Sequence, residues 1–149
     1  MSQALVLAKK SNGQARPNPS VGALIVKDGI IVGRGFHSVY GEGHAEVLAL
    51  KEAGPLSKGA DLYVTLEPCN HQGKTPPCTE SIISAGIINV FIAMQDPNPL
   101  VNGSGTKYLK KNGINVSSGI MEEDAKKINI GFINRMINSK PYVRSKIAM

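Results

Sequence analysis

The chain has 149 residues, 42% of them apolar, a formal charge of +6 and a pI near 9.4. That length suits one domain with a single buried core, and no apolar run is long enough to span a bilayer. With 5% aromatic residues and no tryptophan, the sequence is a poor match for a protein that stacks single-stranded bases.

The N-terminal MSQALVLAKK has no basic region before its apolar patch and no small-residue cleavage site, so a cytoplasmic protein is expected. Its apolar spacing predicts a short helix from Gln3 to Lys10, followed by the loop SNGQARPNPS. VGALIVKDGIIVGRGF reads as two β-runs joined at Lys27-Asp28-Gly29, a strong hairpin signal. GHAEVLALKEAGP predicts a helix stopped by Gly54 and Pro55, and ADLYVTLEP a strand. TPPCTESIISAG predicts a helix with Thr75 as N-cap and prolines in its first turn. INVFIAM reads as a buried strand ending in the turn-rich DPNP. A helix from Gly105 to Lys111, the strand INVSSGI and one long helix from Glu122 to about Asn138 complete the chain. This alternation predicts a mixed sheet covered by helices on both faces, in which sites gather where strand ends meet helix starts.

Both candidate motifs fall at such junctions. In His44-Ala45-Glu46 the two polar side chains would diverge in mid-helix. At a helix start, after the pliant GEG, they can face one cleft. Taken alone, the motif reads equally as a cap followed by a first-turn glutamate favoured by the helix dipole. Cys69 lies where a strand gives way to a turn, and Cys78 in the first turn of a helix, where unpaired amides favour thiolate. In a reducing cytosol two cysteines are more often metal ligands, catalytic groups or core residues than a disulfide. Two thiolates and a neutral histidine make three ligands and leave a fourth position open, the pattern of a catalytic zinc ion.

A cysteine pair by itself is more often a pair of buried thiols, and the intervening NHQGKTPP is too long for a zinc-finger knuckle. The combination is what carries weight. His-x-Glu followed by Pro-Cys and a second cysteine is the known signature of zinc-dependent nucleobase deaminases, apart from the wider cysteine gap here. In that chemistry zinc acidifies a water, Glu46 moves its protons, and an amine-bearing ring carbon loses ammonia.

PNPSVGALIVKDG, GEGHAEVLAL, YVTLEPCNHQGKTPPC and AMQDPNPLVNG together resemble the deaminase domain of the riboflavin-biosynthesis bifunctional deaminase-reductases. GFINRM and PYVRSKIAM extend the likeness to the C-terminus, and the long cysteine gap is that family's own variant. The resemblance implies a three-layer α/β/α cytidine deaminase-like fold with a central five-stranded mixed sheet. It also implies one zinc ion, held by His44, Cys69 and Cys78, with Glu46 shuttling protons. The implied substrate is 2,5-diamino-6-ribosylamino-4(3H)-pyrimidinone 5′-phosphate, deaminated to the corresponding aminouracil phosphate. Asn18, His37, His71, Lys74 and Thr75 fall on positions the family places around this substrate. Lys74 suits a phosphate or ribose oxygen and Thr75 supplies a neutral donor, and the +6 charge suits a phosphorylated ligand, although a plain basic surface accounts for it equally. Singly, His37 and His71 read as structural histidines and Asn18 as a turn residue, as do Asp96 and Asn98 in DPNP. That all three histidines of the chain fall between Pro17 and Gly103, the span these stretches bracket, points to function.

Residues 1–149 therefore read as one deaminase domain, with 141–149 resembling the start of an absent reductase domain. Either a separately encoded deaminase or an excised domain fits, and a stand-alone deaminase would need a separate reductase in the pathway. Neither a nucleic-acid nor a membrane partner is expected, and a homo-oligomer is compatible with the sequence. The alternatives are a tRNA adenosine or free nucleotide deaminase with the same zinc chemistry, and a non-catalytic zinc-stabilised module.

Overall fold

The structure is a computed structural model and describes residues 1–11, 15, 17–37, 43–71, 76–99, 101–143, 145 and 147. Helix α1 spans Ser2–Lys9, strands β1 and β2 span Gly22–Lys27 and Ile30–Phe36, and helix α2 spans Ala45–Ala53. Strand β3 (Asp61–Leu66), helix α3 (Cys78–Ser84), strand β4 (Asn89–Met94), helix α4 (Ser104–Lys111) and strand β5 (Asn115–Ser118) follow. Helices α5 (Glu122–Ile128) and α6 (Ile130–Asn138) close the order.

The five strands form one sheet in the order β2-β1-β3-β4-β5. Strand β1 runs antiparallel to both β2 and β3, whereas β3, β4 and β5 are parallel. The two-residue turn Asp28-Gly29 joins the hairpin with positive φ at both positions, +51° and +78°, as a type I′ turn requires. Helices α1 and α5 pack on one face of the sheet and α2, α3 and α4 on the other. The expected three-layer α/β/α arrangement is therefore observed. Its core is aliphatic: Ile25, Leu62, Val64, Ile82, Val90 and Ile92 are all fully buried, each stabilising the fold by about 1.5–3 kcal/mol.

Helix α2 turns the small residues Ala45, Ala49 and Ala53 toward the sheet, an i, i+4, i+8 stripe that lets backbones approach closely. Gly35 of β2 completes that contact, since a Cβ there would sit 2.0 Å from the Ala45 carbonyl oxygen. Gly35→Ala is expected to push away the start of α2 and to cost about 3 kcal/mol, read as a lower urea midpoint at unchanged m-value.

Two expectations need correction. The predicted helix over 122–138 is two helices, because Asn129 leaves helical geometry (φ −105°, ψ 19°) and separates α5 from α6. The cause is a tertiary bond: the buried Asn129 side chain accepts from the Ser20 amide (2.8 Å) and donates to the Ser20 carbonyl (2.9 Å). Helix α3 begins at Cys78 with Pro77 in the cap position, so its prolines precede the first turn. The expected N-cap, Thr75, lies outside the described residues. None of the described residues in 141–149 belongs to a strand.

This topology brings several chain segments to one end of the sheet. Parallel β3 and β4 finish there, at the paired Leu66 and Met94. Antiparallel β1 starts there and β2 finishes there, with Gly22 paired to Phe36. The segments around Asn18, His37, Cys69 and Asp96 consequently meet in one crevice, as expected at the carboxyl ends of parallel strands.

Candidate active site

His44 is the cap residue of α2, in extended geometry (φ −66°, ψ 156°), and Glu46 lies in the first turn. The bend expected at this helix start is what allows both side chains to line the same cavity. Cys69 follows the end of β3, and Cys78 opens α3 with no exposed surface. His44 Nδ1 lies 3.0 Å from Cys78 Sγ and 3.6 Å from Cys69 Sγ. One ligand atom from each of the three residues falls within 4.8 Å of the others. This set is positioned to hold one metal ion, and its two sulfurs and one imidazole nitrogen are the donors that suit zinc. Three donors beside a cavity leave a coordination position for a small molecule.

The local electrostatics are those of a shared proton. The Cys78 thiol donates to Cys69 and thereby brings the Cys69 thiol down to about 4, helped by His44 and the Cys78 amide. The same bond, reinforced by burial, pushes the Cys78 thiol up. The amide effect expected for Cys78 thus acts on its neighbour: the Cys78 N–H, in the first turn of α3, donates to Cys69 Sγ at 3.3 Å. Hydrogen bonding to Cys69 raises the His44 imidazole above its usual value. Glu46 is 4% exposed. Burial, then the charge on Cys69, pushes its carboxyl up to about 7.

The cavity has a volume of about 200 Å³. Of the residues expected around a substrate, Asn18, His37 and His71 line it, while Lys74 and Thr75 lie outside the described residues. His37 is buried, with Nδ1 3.4 Å from the Gly43 carbonyl oxygen and Nε2 3.1 Å from Asn18 Nδ2. A carbonyl partner makes Nδ1 the protonated nitrogen, so Nε2 accepts from the Asn18 amide. His37 therefore orients Asn18 as well as lining the cavity. Asp96 also lines the cavity and accepts from the Asn98 amide at 2.8 Å, the turn role expected of that pair. Burial raises its carboxyl above the ordinary range.

Three residues beside the site, Glu67, Gly105 and Asn70, were missed at the level of sequence. The buried Glu67 carboxylate accepts from the amides of Asp96 (3.3 Å), Gly103 (2.9 Å) and Thr106 (2.9 Å). It pins the Asp96 loop and the first turn of α4 beside the cavity. A carboxylate just before Pro68-Cys69 was the only hint, and it says nothing about partners so distant in sequence. Gly105 lets α4 come close, since a Cβ there would sit 2.1 Å from the Pro68 carbonyl oxygen. Asn70 accepts from the Thr79 hydroxyl at 2.9 Å, tying the Cys69 turn to α3. Glu67→Gln replaces one acceptor oxygen by a donor facing amide donors, and is expected to cost about 2 kcal/mol. Chemical denaturation of the two proteins would measure it.

A Cys-Cys-His donor set, a buried carboxyl beside it and an open cavity at the strand ends fit a metal-dependent hydrolytic centre. The family described as the cytidine and deoxycytidylate deaminase zinc-binding region matches residues 1–94. A diaminohydroxyphosphoribosylamino-pyrimidine deaminase from Buchnera aphidicola subsp. Schizaphis graminum is 50% identical over 95% of this chain and 96% of its own length. The chain belongs to the zinc-binding cytidine and deoxycytidylate deaminase family, among its riboflavin-biosynthesis deaminases. The riboflavin biosynthesis protein RibD of Bacillus amyloliquefaciens is 53% identical over 99% of the chain. The chain spans 40% of that relative's length. The crystal structure of a Thermotoga maritima diaminohydroxyphosphoribosylaminopyrimidine deaminase/5-amino-6-(5-phosphoribosylamino)uracil reductase is similar with a TM-score of 0.90 and 47% identity. It matches over 95% of this chain and 41% of its own.

Proposed function

We propose that this domain deaminates 2,5-diamino-6-ribosylamino-4(3H)-pyrimidinone 5′-phosphate to 5-amino-6-(5-phosphoribosylamino)uracil, with one water consumed and one ammonia released. The observation that carries the reading is the buried Glu46 carboxyl, held above its ordinary range by burial, beside the His44-Cys69-Cys78 cluster. In this reading those three residues hold zinc, and Glu46 is the proton carrier. Bound there, zinc supplies the Lewis acidity that brings the pKa of a water down toward neutrality. Glu46 accepts a proton from the attacking water and delivers protons to the ring nitrogen and the departing amine. The same carboxyl serves as base and then as acid. Burial also keeps bulk water from competing for that proton.

Asn18, oriented by His37, and His71 lie on the cavity wall and bind the substrate in this reading. Lys74 and Thr75 meet its phosphorylated sugar. We place the reaction in the cytoplasm; among the described residues no helix is long and apolar enough to cross a membrane. In this reading a reductase acts on the ribosylamino product.

The test is zinc-loaded protein incubated with the pyrimidine phosphate, following ammonia release and formation of the uracil product, with tRNA and cytidine as comparison substrates. Turnover of the pyrimidine phosphate alone is expected. Turnover of tRNA or cytidine with none of the phosphate would overturn the reading.

A further inference from the structure

Helix α6 lies outside the sheet-end loops that carry the cluster, yet it reaches the site. Phe132, on its first turn, lines the same cavity as Glu46 and Cys69. Among the described lining residues it is the only aromatic side chain other than histidine, in a chain with three phenylalanines and no tryptophan. The Arg135 guanidinium carbon lies 5.8 Å from the centroid of the Phe132 ring. The same guanidinium donates to the Pro17 carbonyl oxygen. From the junction with α5, Asn129 holds both backbone groups of Ser20. The segment that presents Asn18 is therefore gripped on both sides of that residue by α6 and its junction.

A planar heteroaromatic ring whose amino-bearing carbon points at the Glu46 side of the cavity needs an apolar surface against its face, and an aromatic side chain supplies it best. We propose that Phe132 is a specificity-determining residue that stacks on the pyrimidine ring of the substrate, and that Arg135 is a positioning residue that holds this aromatic wall and the Asn18 segment in register. The inference rests on the deaminase reading given above. Helix α6 is then part of the substrate site, and the break at Asn129 is what aims it there.

The experiment measures steady-state kinetics of zinc-loaded protein with the pyrimidine phosphate. Phe132→Ala and Phe132→Leu are expected to raise KM about tenfold with kcat within about twofold of wild type, and Phe132→Tyr to keep the wild-type KM. Arg135→Ala is expected to raise KM about threefold on its own and to add less than that in a double variant with Phe132→Ala, because only its hold on the Asn18 segment is then left to lose. Zinc content and circular dichroism establish that each variant is folded and loaded. Should Phe132→Ala fail to fold, the Leu and Tyr variants decide. A wild-type KM in Phe132→Leu, or a loss confined to kcat, would overturn the stacking role, and additive effects would overturn the positioning role of Arg135. Calorimetric binding of the uracil product to the same variants, expected to weaken about tenfold in Phe132→Leu, reads the wall without turnover. A zinc-loaded wild type that neither turns over the phosphate nor binds the product would instead overturn the deaminase reading.

Discussion

Glu46→Gln is expected to lower kcat about a thousandfold while zinc stays bound at the wild-type stoichiometry. The carboxamide has nearly the shape of the carboxylate but cannot take a proton from water or give one to the ring. Glu46 is not among the three clustered donors, so its loss should not release the metal. Ammonia release combined with metal analysis checks both halves, and normal turnover in the variant would remove Glu46 from the mechanism. A second consequence follows from burial. With chelator present, the Glu46 carboxyl, raised from 4.5 to about 7, binds more proton in the folded than in the unfolded chain between those two pH values. The stability of wild type relative to Glu46→Gln should therefore fall as pH rises through that window. Glu46→Gln removes this dependence, so under those conditions it should be the more stable protein at pH 8 and the less active one at every pH. Such a trade between stability and activity is common where a buried group is kept for chemistry.

Cys78→Ala is expected to abolish zinc binding and turnover together. Cys78 is fully buried at the start of α3, and both His44 Nδ1 and Cys69 Sγ face it. Two remaining donors make a weak site for zinc at neutral pH. Because a metal that binds only the folded state stabilises it by mass action, the variant should also lose about 10 °C in melting temperature relative to loaded wild type. Chelator should bring wild type down to the melting temperature of the variant and leave the variant unchanged. Retained zinc with retained activity would show that Cys78 is not a ligand.

Most of the fold was legible because its signals are local. The hairpin followed from Asp28-Gly29, two residues that tolerate positive φ. The strands followed from apolar runs of strand length, and α2 from its clear stop at Gly54. The one helix read incorrectly, 122–138, fails at Asn129 for a reason no local propensity contains: its partner, Ser20, is 109 positions away. The start of α3 was misplaced by two residues because proline is as compatible with the cap position as with the first turn.

The candidate site divides along the same line. His44, Glu46, Cys69 and Cys78 were legible because a catalytic zinc needs particular donor types in a recognisable order, and this chain has only two cysteines and three histidines to supply them. The sequence by itself thus determined the donor set, the carboxyl proposed to carry protons and the layered fold, since each depends on residue type at short spacing. Only the tertiary structure decided that His37 orients Asn18, that Glu67 pins the loop and helix beside the cavity, and that α6 brings Phe132 to it. Those roles depend on which backbone amides and side chains end up within hydrogen-bond reach across the end of the sheet, and that is set by strand order and helix packing.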